Sequence, residues 1–252
     1  MHPEIHIDPE YLVTDSGTSD GTQIKFYYKN KWYKIDRYGG EGECEELISK
    51  ILKLCNYPED KYVHYKQVTI NGLSGCVSDN FLSDNERFIT LYRLHFNTIG
   101  TDPAIITSKM DHDDAINYMI DFVLNQTGLD ISEYLADTFL LDSLILNEDR
   151  HFNNLGLIFD GIGYRTAPIF DNGKSLFIGN TKYNPLKQMI ENKKHSFAKA
   201  FSGSFTLNRD YLSEYATFSL DINKIEKYLQ TKILSADTIY SRLAKLCKIY
   251  TI

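Results

Sequence analysis

Two segments in the second half of the chain decide the fold. Residues 144–156 read Leu-Ile-Leu-Asn-Glu-Asp-Arg-His-Phe-Asn-Asn-Leu-Gly, and residues 167–176 read Ala-Pro-Ile-Phe-Asp-Asn-Gly-Lys-Ser-Leu. Asp149 and Asn154 lie five residues apart, and Asp171 follows Asp149 by twenty-two residues, at the end of an apolar run. Asn, Asp and Gly are common turn residues, so either segment alone would be read as a surface turn. Together, at this spacing, they predict a catalytic site.

The residue types in these segments suit phosphoryl transfer. A transferring phosphoryl group carries charge on three oxygens, so an enzyme mainly positions and neutralises it. Mg²⁺ prefers oxygen ligands, which the Asp171 carboxylate and the Asn154 amide could supply together with phosphate oxygens and water. Asp149 would stay off the metal and orient the acceptor hydroxyl. A protein-kinase catalytic loop has the same internal spacing, with its metal-binding Asn five residues after the Asp.

The same two segments resemble a known family. The pattern Leu-Ile-Leu-Asn-x-Asp-Arg-His-x-x-Asn-x-Gly, followed by Ala-Pro-x-Phe-Asp-x-Gly-x-Ser-Leu, is similar to the HipA-like serine/threonine kinases of bacteria. Within that family it resembles the short form without an N-terminal extension, such as the cell-translocating kinases. The order Asp-Arg-His also occurs in phosphoinositide lipid kinases, but Ala-Pro-Ile-Phe-Asp-Asn-Gly favours the HipA-like group. The resemblance is specific only from Leu144 to Leu176.

The first part of the chain is predicted to be β-structure with a loop for phosphates. Aromatic and β-branched runs at 22–28 and 31–36 surround Lys29-Asn30, which predicts a hairpin. The glycine-bearing loop 15–21 precedes them, and such a loop can bring backbone N–H groups close to phosphates. An ordinary surface loop is the alternative.

Family resemblance adds nucleotide-binding residues to this region. Gly21-Thr-Gln23-Ile-Lys25 resembles the Gly-Ala-Gln-x-Lys segment of the HipA-like kinases, where the loop covers ATP. The resemblance therefore implies that Gly21, Gln23 and Lys25 bind the nucleotide. Lys34, among apolar strand neighbours, matches the kinase lysine that holds the α- and β-phosphates. A solvent-facing strand lysine is the alternative reading.

The helix after these strands is predicted to carry the glutamate that pairs with Lys34. Apolar residues recur at helical spacing over 43–55. Glu45 is the candidate that the family pattern supports. Glu43 and Glu41 are rivals, because acids are also favoured in the first turn of any helix.

The remaining elements give the predicted architecture. Strands are expected at 61–70 and 73–82, a hairpin at 155–159 and 162–166, and helices at 85–96, 112–126, 131–146, 185–193, 222–230 and 236–249. The predicted fold class is α+β, with the two lobes of a protein kinase. The small β-rich lobe would span residues 1–82 and the helical lobe residues 83–252.

Composition limits the other possibilities. The chain has 252 residues, is 42% hydrophobic and 24% charged, and has a formal charge of −7, which argues against a direct nucleic-acid binder. The four cysteines form no C-x-x-C pair, which favours reduced thiols. Neither a signal peptide nor an apolar run of about 18 residues is present, so we expect a cytoplasmic protein without membrane insertion.

The resulting expectation is a serine/threonine protein kinase that uses ATP and Mg²⁺. The alternatives are a phosphoinositide-type lipid kinase and a non-catalytic nucleotide-binding module on the same fold. The resemblance implies a protein substrate and an antitoxin or regulatory protein as partner. It also implies autophosphorylation in the loop before Gly21, where Ser16, Thr18 and Ser19 are the candidates.

Overall fold

The structure is a computed structural model that describes residues 2–14, 23–179, 200–201, 203–232 and 238–250. Several predicted features therefore lie outside the described residues. These are Gly21, the three candidate phosphorylation sites before it, and the helix predicted at 185–193.

The N-terminal part of the chain forms a five-stranded sheet. Its strands are β1 (Glu4–Ile5), β2 (Lys25–Tyr28), β3 (Lys31–Ile35), β4 (Tyr65–Ile70) and β5 (Leu73–Asp79). They lie in the order β1-β4-β5-β3-β2; β1 runs parallel to β4, and the other neighbours are antiparallel. The predicted hairpin turn is present, with φ of 50° at Lys29 and 58° at Asn30. Positive φ at both positions is what a tight two-residue hairpin requires.

Helix α1 (Glu41–Leu54) packs against β4 and β5. The lack of a side chain at Gly42 lets the helix come close to the sheet at Gly75 of β5. A Cβ on Gly42 would lie 2.4 Å from the carbonyl oxygen of Gly75 and would push the helix away. A Cβ on Gly75 would lie 2.1 Å from the carbonyl oxygen of Lys34 and would disturb the pairing of β5 with β3. The close contact therefore fixes which face of α1 meets the strand that carries Lys34.

The second part of the chain is mainly helical. Its elements are β6 (Arg87–Thr90), α2 (Leu91–Ile99), α3 (Pro103–Thr107), α4 (His112–Thr127), α5 (Ser132–Ile145), β7 (Gly156–Phe159), β8 (Tyr164–Thr166), α6 (Phe205–Tyr211), α7 (Ile222–Gln230) and α8 (Ile239–Tyr250). Strands β6, β7 and β8 form a separate antiparallel sheet. A β-rich part followed by a helical part gives the α+β architecture that the sequence predicts. Among the described helices, none has the length and apolar character needed to span a membrane.

The helix predicted at 85–96 is wrong in its first half. Residues Arg87–Thr90 form strand β6, with Phe88 opposite Ile158 of β7. Aromatic and β-branched residues suit a strand when a partner strand is available, and that pairing overrides the helical periodicity. Helix α2 begins only after Thr90, whose side chain accepts a hydrogen bond from the backbone N–H of Arg93. The short elements β1, α3 and α6 were not predicted.

Helix α5 is the centre of the helical part. All of its fourteen residues except Glu133 and Leu140 are buried. Apolar residues lie on every face of the helix, as expected for one surrounded by protein, and two acids, Asp137 and Asp142, are buried with them. It ends at Leu146, whose φ of 53° turns the chain sharply into the segment that carries Asp149. The buried helix thereby gives that segment a rigid starting point.

Candidate active site

Lys34 is the centre of a charged cluster between the sheet and the helical part. Its Nζ lies 2.9 Å from Oδ1 of Asp171, 3.4 Å from Oε1 of Glu45 and 3.3 Å from the hydroxyl of Tyr65. The ammonium also lies 5.0 Å from the centre of the Tyr65 ring. Three side chains from α1, β4 and the segment after β8 therefore converge on one lysine of β3.

The charges of this cluster stabilise one another. Burial opposes the positive charge of Lys34, but Asp171, Tyr65 and Glu45 outweigh it and raise the pKa of the lysine well above its usual value. Burial likewise opposes the charge of Asp171, but Lys34 holds the pKa of that carboxyl below its usual range. The net effect on the buried Glu45 is the opposite, because desolvation raises the pKa of its carboxyl despite Lys34. Lys34 and Asp171 therefore stay charged at neutral pH.

Of the three candidate glutamates, the structure pairs Glu45 with Lys34. Glu41 instead accepts hydrogen bonds from the backbone N–H groups of Arg37 and Tyr38, at 3.1 and 2.8 Å. Glu43 lies near Tyr240 of α8. Burial raises the pKa of Tyr240, and the negative charge of Glu43 raises it further. Both rivals therefore interact with groups other than Lys34.

A second lysine lies beside Lys34. Lys25 is opposite Lys34 in the pairing of β2 with β3, and it is buried. Burial lowers the pKa of Lys25, and the nearby charge of Lys34 lowers it further. Gln23 precedes β2 and is half-buried. The structure thus places two cations next to each other at the same cleft.

Asn154 carries a buried oxygen with no partner. Its Nδ2 donates to the backbone carbonyl of Asp149 at 2.8 Å, which identifies Oδ1 as the remaining atom. That Oδ1 is buried and receives no hydrogen bond. A buried polar atom that receives no hydrogen bond can serve as a ligand of a bound group. A divalent cation is such a group, because amide oxygens are common ligands of Mg²⁺.

The loop around Asp149 is tied to the segment around Asp171 by Asn147. The Asn147 side chain accepts a hydrogen bond from the backbone N–H of Asp149 at 3.0 Å and donates to the carbonyl oxygen of Asp171 at 3.3 Å. Asp171 itself has φ of 59°. One asparagine therefore sets the spacing between the two predicted functional loops. Asp149 is half-buried on its loop.

The donor set fits a metal that arrives with its substrate. Among the described residues, no group of three or more His, Cys, Asp or Glu side chains could hold a metal ion. Asn154 and Asp171 would supply one amide oxygen and one carboxylate, which would leave most of an octahedral shell to phosphate oxygens and water. Mg²⁺ is commonly bound in this way, by few protein ligands plus substrate phosphates.

A cleft extends from the charged cluster toward β5 and β6. Its empty volume, which includes solvent at the open mouth, is about 650 Å³. Its lining comprises Lys25, Trp32, Lys34, Val63, Tyr65, Ser78, Asn80, Phe81, Leu82, Phe88, Phe170 and Asp171. The rings of Phe81, Phe88 and Phe170 lie within 5.5–6.2 Å of one another. The cleft is thus charged at one end and aromatic at the other, which suits a nucleotide.

The structure matches the crystal structure of a Helicobacter pylori proinflammatory kinase, CtkA, with a TM-score of 0.65 and 16% sequence identity. The match covers 98% of this chain and 93% of that chain. The chain has a kinase fold. The predicted two-lobed architecture is therefore confirmed, and so, at the level of the fold, is the resemblance that led to it.

A second solved structure is more distant. The complex of the Shewanella oneidensis MR-1 toxin–antitoxin system HipA and HipB with operator DNA aligns with a TM-score of 0.42 and 10% identity. That alignment covers 97% of this chain and 66% of the matched chain. No family model and no curated protein matches the sequence.

Arg150 is a residue of this kinase fold whose role the sequence did not predict. It is fully buried, with 1% of its surface exposed. Its Nε and Nη2 donate to the two carboxylate oxygens of Asp142 at 2.9 and 3.0 Å. Its Nη1 donates to the carbonyl oxygens of Phe170 at 2.6 Å and Asn154 at 3.5 Å, and Nη2 also donates to Oδ1 of Asn172. All five N–H groups of the guanidinium therefore have acceptors.

Asp142 and Tyr65 were also missed. Asp142 is one of two acids, with Asp137, among the apolar residues of this buried helix, and an acid in such surroundings was the available signal. Tyr65 reads as an ordinary strand aromatic, and nothing in its neighbourhood along the chain indicates that its hydroxyl meets Lys34.

Removing the Asp142 carboxylate is expected to destabilise the protein strongly. Asp142→Ala leaves the Arg150 charge buried with only backbone carbonyls and an amide as partners. Breaking a buried ion pair in this way costs about 3–5 kcal/mol. Urea denaturation followed by circular dichroism measures the loss.

The matched control is Glu59→Ala, because Glu59 forms an exposed pair with Lys53 at 2.8 Å. Exposed pairs contribute little, so its urea midpoint should equal that of the wild type. A midpoint for Asp142→Ala as high as that of Glu59→Ala would contradict a stabilising role of the buried pair.

Proposed function

We propose that this chain is a serine/threonine protein kinase of the HipA-like type that uses ATP and Mg²⁺. One observation carries the proposal. The Lys34–Glu45–Asp171 cluster lies at the charged end of a cleft whose other end is lined by aromatic rings. The kinase fold shared with CtkA supports the same conclusion.

Each proposed role follows from the position of the residue. Lys34, held by Glu45, would contact the α- and β-phosphates, and Lys25 would add a second positive charge beside them. Asn154 and Asp171 would hold Mg²⁺, which neutralises phosphate charge when bound. These residues bind and orient the phosphoryl donor.

The acceptor side of the reaction is assigned to Asp149. A carboxylate at this point can orient a substrate hydroxyl and accept its proton. The loop segment with Gly21 and Gln23 is proposed to cover the phosphates. The aromatic end of the cleft, next to the segment that links residues 1–82 with residues 83–252, is proposed to hold the adenine.

Transfer of labelled phosphate distinguishes this proposal from its rivals. The purified chain is incubated with γ-labelled ATP and Mg²⁺, together with either a mixture of protein acceptors or vesicles containing phosphoinositides. We expect label on serine or threonine of protein and none on lipid, and no transfer when Mg²⁺ is chelated. Label on lipid alone would indicate a lipid kinase, and nucleotide binding without any transfer would indicate a non-catalytic module.

The loop before Gly21 provides a further prediction, taken from the family resemblance. We expect phosphate on Ser16, Thr18 or Ser19 after incubation with ATP and Mg²⁺, detected by mass spectrometry. A phosphate adds about −1.5 to −2 charge, which would repel the ATP phosphates and lower ATP affinity. Asp149→Asn is the control and should remain unmodified. Active enzyme without phosphate on these residues would contradict the prediction, and a modified control would indicate another kinase.

A further inference from the structure

We propose that Asn172 is a positioning residue that holds Asp171 in its metal-binding backbone conformation. The inference rests on the proposed function, because it concerns the same metal site. Asn172 would act as the middle of a hydrogen-bonded chain that runs from Asp142 through Arg150 to Glu45. We call this set of four residues the clamp: Asp142, Arg150, Asn172 and Glu45.

Asn172 is bonded on two sides and buried, with 2% of its surface exposed. Its side-chain Oδ1 accepts a hydrogen bond from Nη2 of Arg150. Its backbone N–H donates to Oε2 of Glu45 at 3.0 Å. Because the other carboxylate oxygen of Glu45 faces Lys34, one asparagine connects the helical part of the molecule to the lysine of the sheet.

The residue that the clamp protects is in an unfavourable conformation. Asp171 has φ of 59°, in the left-handed region that non-glycine residues seldom adopt. Such a conformation persists only where the surroundings fix it. Here the carbonyl of Phe170 is held by Arg150, the carbonyl of Asp171 by Asn147, and Asn172 by both Arg150 and Glu45. The Asp171 peptide unit is therefore fixed on either side.

The clamp differs from the corresponding device in kinases with Asp-Phe-Gly. There the middle residue is aromatic, and its packing sets the active or inactive state. A phenyl ring can leave its pocket without leaving a hydrogen bond unmade. If the Asn172 side chain turned out, an N–H of Arg150 would lose its acceptor in a buried site, and if the backbone moved with it, Glu45 would also lose a donor; both are unfavourable. The clamp therefore favours a single orientation of the segment.

Substitution of Asn172 separates positioning from simple packing. Asn172→Leu keeps a similar size and the backbone N–H but removes the acceptor for Arg150. Asn172→Asp keeps the acceptor. We expect the Mg²⁺ concentration for half-maximal ATP turnover to rise about tenfold in Asn172→Leu, as for loss of a residue that orients a metal ligand. Asn172→Asp should stay close to the wild type, and the KM for the protein acceptor should be unchanged in both.

The control is Thr217→Val, which removes a hydroxyl that donates to the buried Asp137 at 2.6 Å, in a different part of the helical lobe. It should lower the melting temperature without changing the Mg²⁺ dependence. If Asn172→Leu behaves like this control, the clamp is a packing feature and the proposal is overturned. Asn172→Ala replaces Asn172→Leu if the latter does not fold.

Binding of a non-hydrolysable ATP analogue, measured by calorimetry at several Mg²⁺ concentrations, keeps the two proposals apart. If the wild type binds the analogue with Mg²⁺ but transfers no phosphate, the kinase proposal fails. The clamp is still tested, because Asn172→Leu should need a higher Mg²⁺ concentration than the wild type to bind the analogue. If transfer occurs and the variants match the wild type, the clamp alone fails. If the wild type binds no nucleotide, both fail.

Discussion

The variant Asp171→Ala is expected to show no detectable Mg²⁺-dependent ATP turnover. Asp171 supplies the only carboxylate that we assign to the metal, and Asn154 alone offers a single neutral oxygen. Without the metal, the charge that develops on the phosphoryl group is not neutralised, so the largest electrostatic contribution to catalysis is lost. Initial rates of ATP turnover at saturating Mg²⁺, compared with the wild type, measure the effect.

The fold of this variant should persist, because Lys34 keeps Glu45 and Tyr65 as partners. Circular dichroism and a melting curve check this point. Asp79→Ala is a matched control, since Asp79 also pairs with a strand lysine of the same sheet, Lys31, but is exposed. It should retain full turnover. Wild-type turnover by Asp171→Ala would remove Asp171 from the metal site.

The second large effect is expected for Asp149→Asn. The change preserves shape but removes the carboxylate that would accept the proton of the substrate hydroxyl. A positioned general base is worth about 10²–10⁴-fold in rate, so phosphotransfer should fall by that factor. Nucleotide affinity should change little, because Asp149 is not assigned to ATP. Phosphotransfer rates and calorimetric titration with ATP are measured on the same preparation.

The reverse pattern would exchange the two assignments. Suppose that Asp149→Asn bound ATP much more weakly than the wild type but transferred phosphate at the wild-type rate at saturating ATP. Asp149 would then belong to the nucleotide and metal. The acceptor would then require a different base. Parallel titration of Asp171→Ala shows whether the two aspartates have distinct effects.

Residue spacing together with the family resemblance predicted three residues that the structure brings into contact. Lys34, Glu45 and Asp171 lie on three different segments of the chain. The structure nevertheless places a carboxylate oxygen of Asp171 at 2.9 Å and one of Glu45 at 3.4 Å from the Lys34 ammonium. The spacing of Asp149, Asn154 and Asp171 is local information, because one hairpin separates the two loops. Short-range patterns of this kind are readable from a sequence.

The choice among the three glutamates required the structure. Glu41, Glu43 and Glu45 all lie near the start of α1, and the sequence cannot fix the rotation of a helix against a sheet. That rotation depends on the close approach at Gly42 and Gly75. The strand β6 was mistaken for helix for a related reason, because its pairing partner β7 is distant in sequence.

The roles of the other three clamp residues could not be predicted from the sequence, for a different reason. Asp142, Arg150 and Asn172 are ordinary polar residues in the sequence, and their importance comes from complete burial together with mutual hydrogen bonds. Only three-dimensional packing reveals which polar groups have lost water. A charged residue among the apolar residues of a helix is a sign of such a network in a sequence, but Asp137 of the same helix gives the same sign as Asp142 without belonging to the clamp.

The most direct test is a crystal structure of the chain with Mg²⁺ and a non-hydrolysable ATP analogue. We expect one Mg²⁺ at about 2.0–2.1 Å from Oδ1 of Asn154 and from the Asp171 carboxylate, with phosphate oxygens completing its shell and Lys34 against the α- and β-phosphates. A metal bound without Asn154 and Asp171, or an analogue bound away from Lys34, would contradict the assignment of this cleft as the site of phosphoryl transfer.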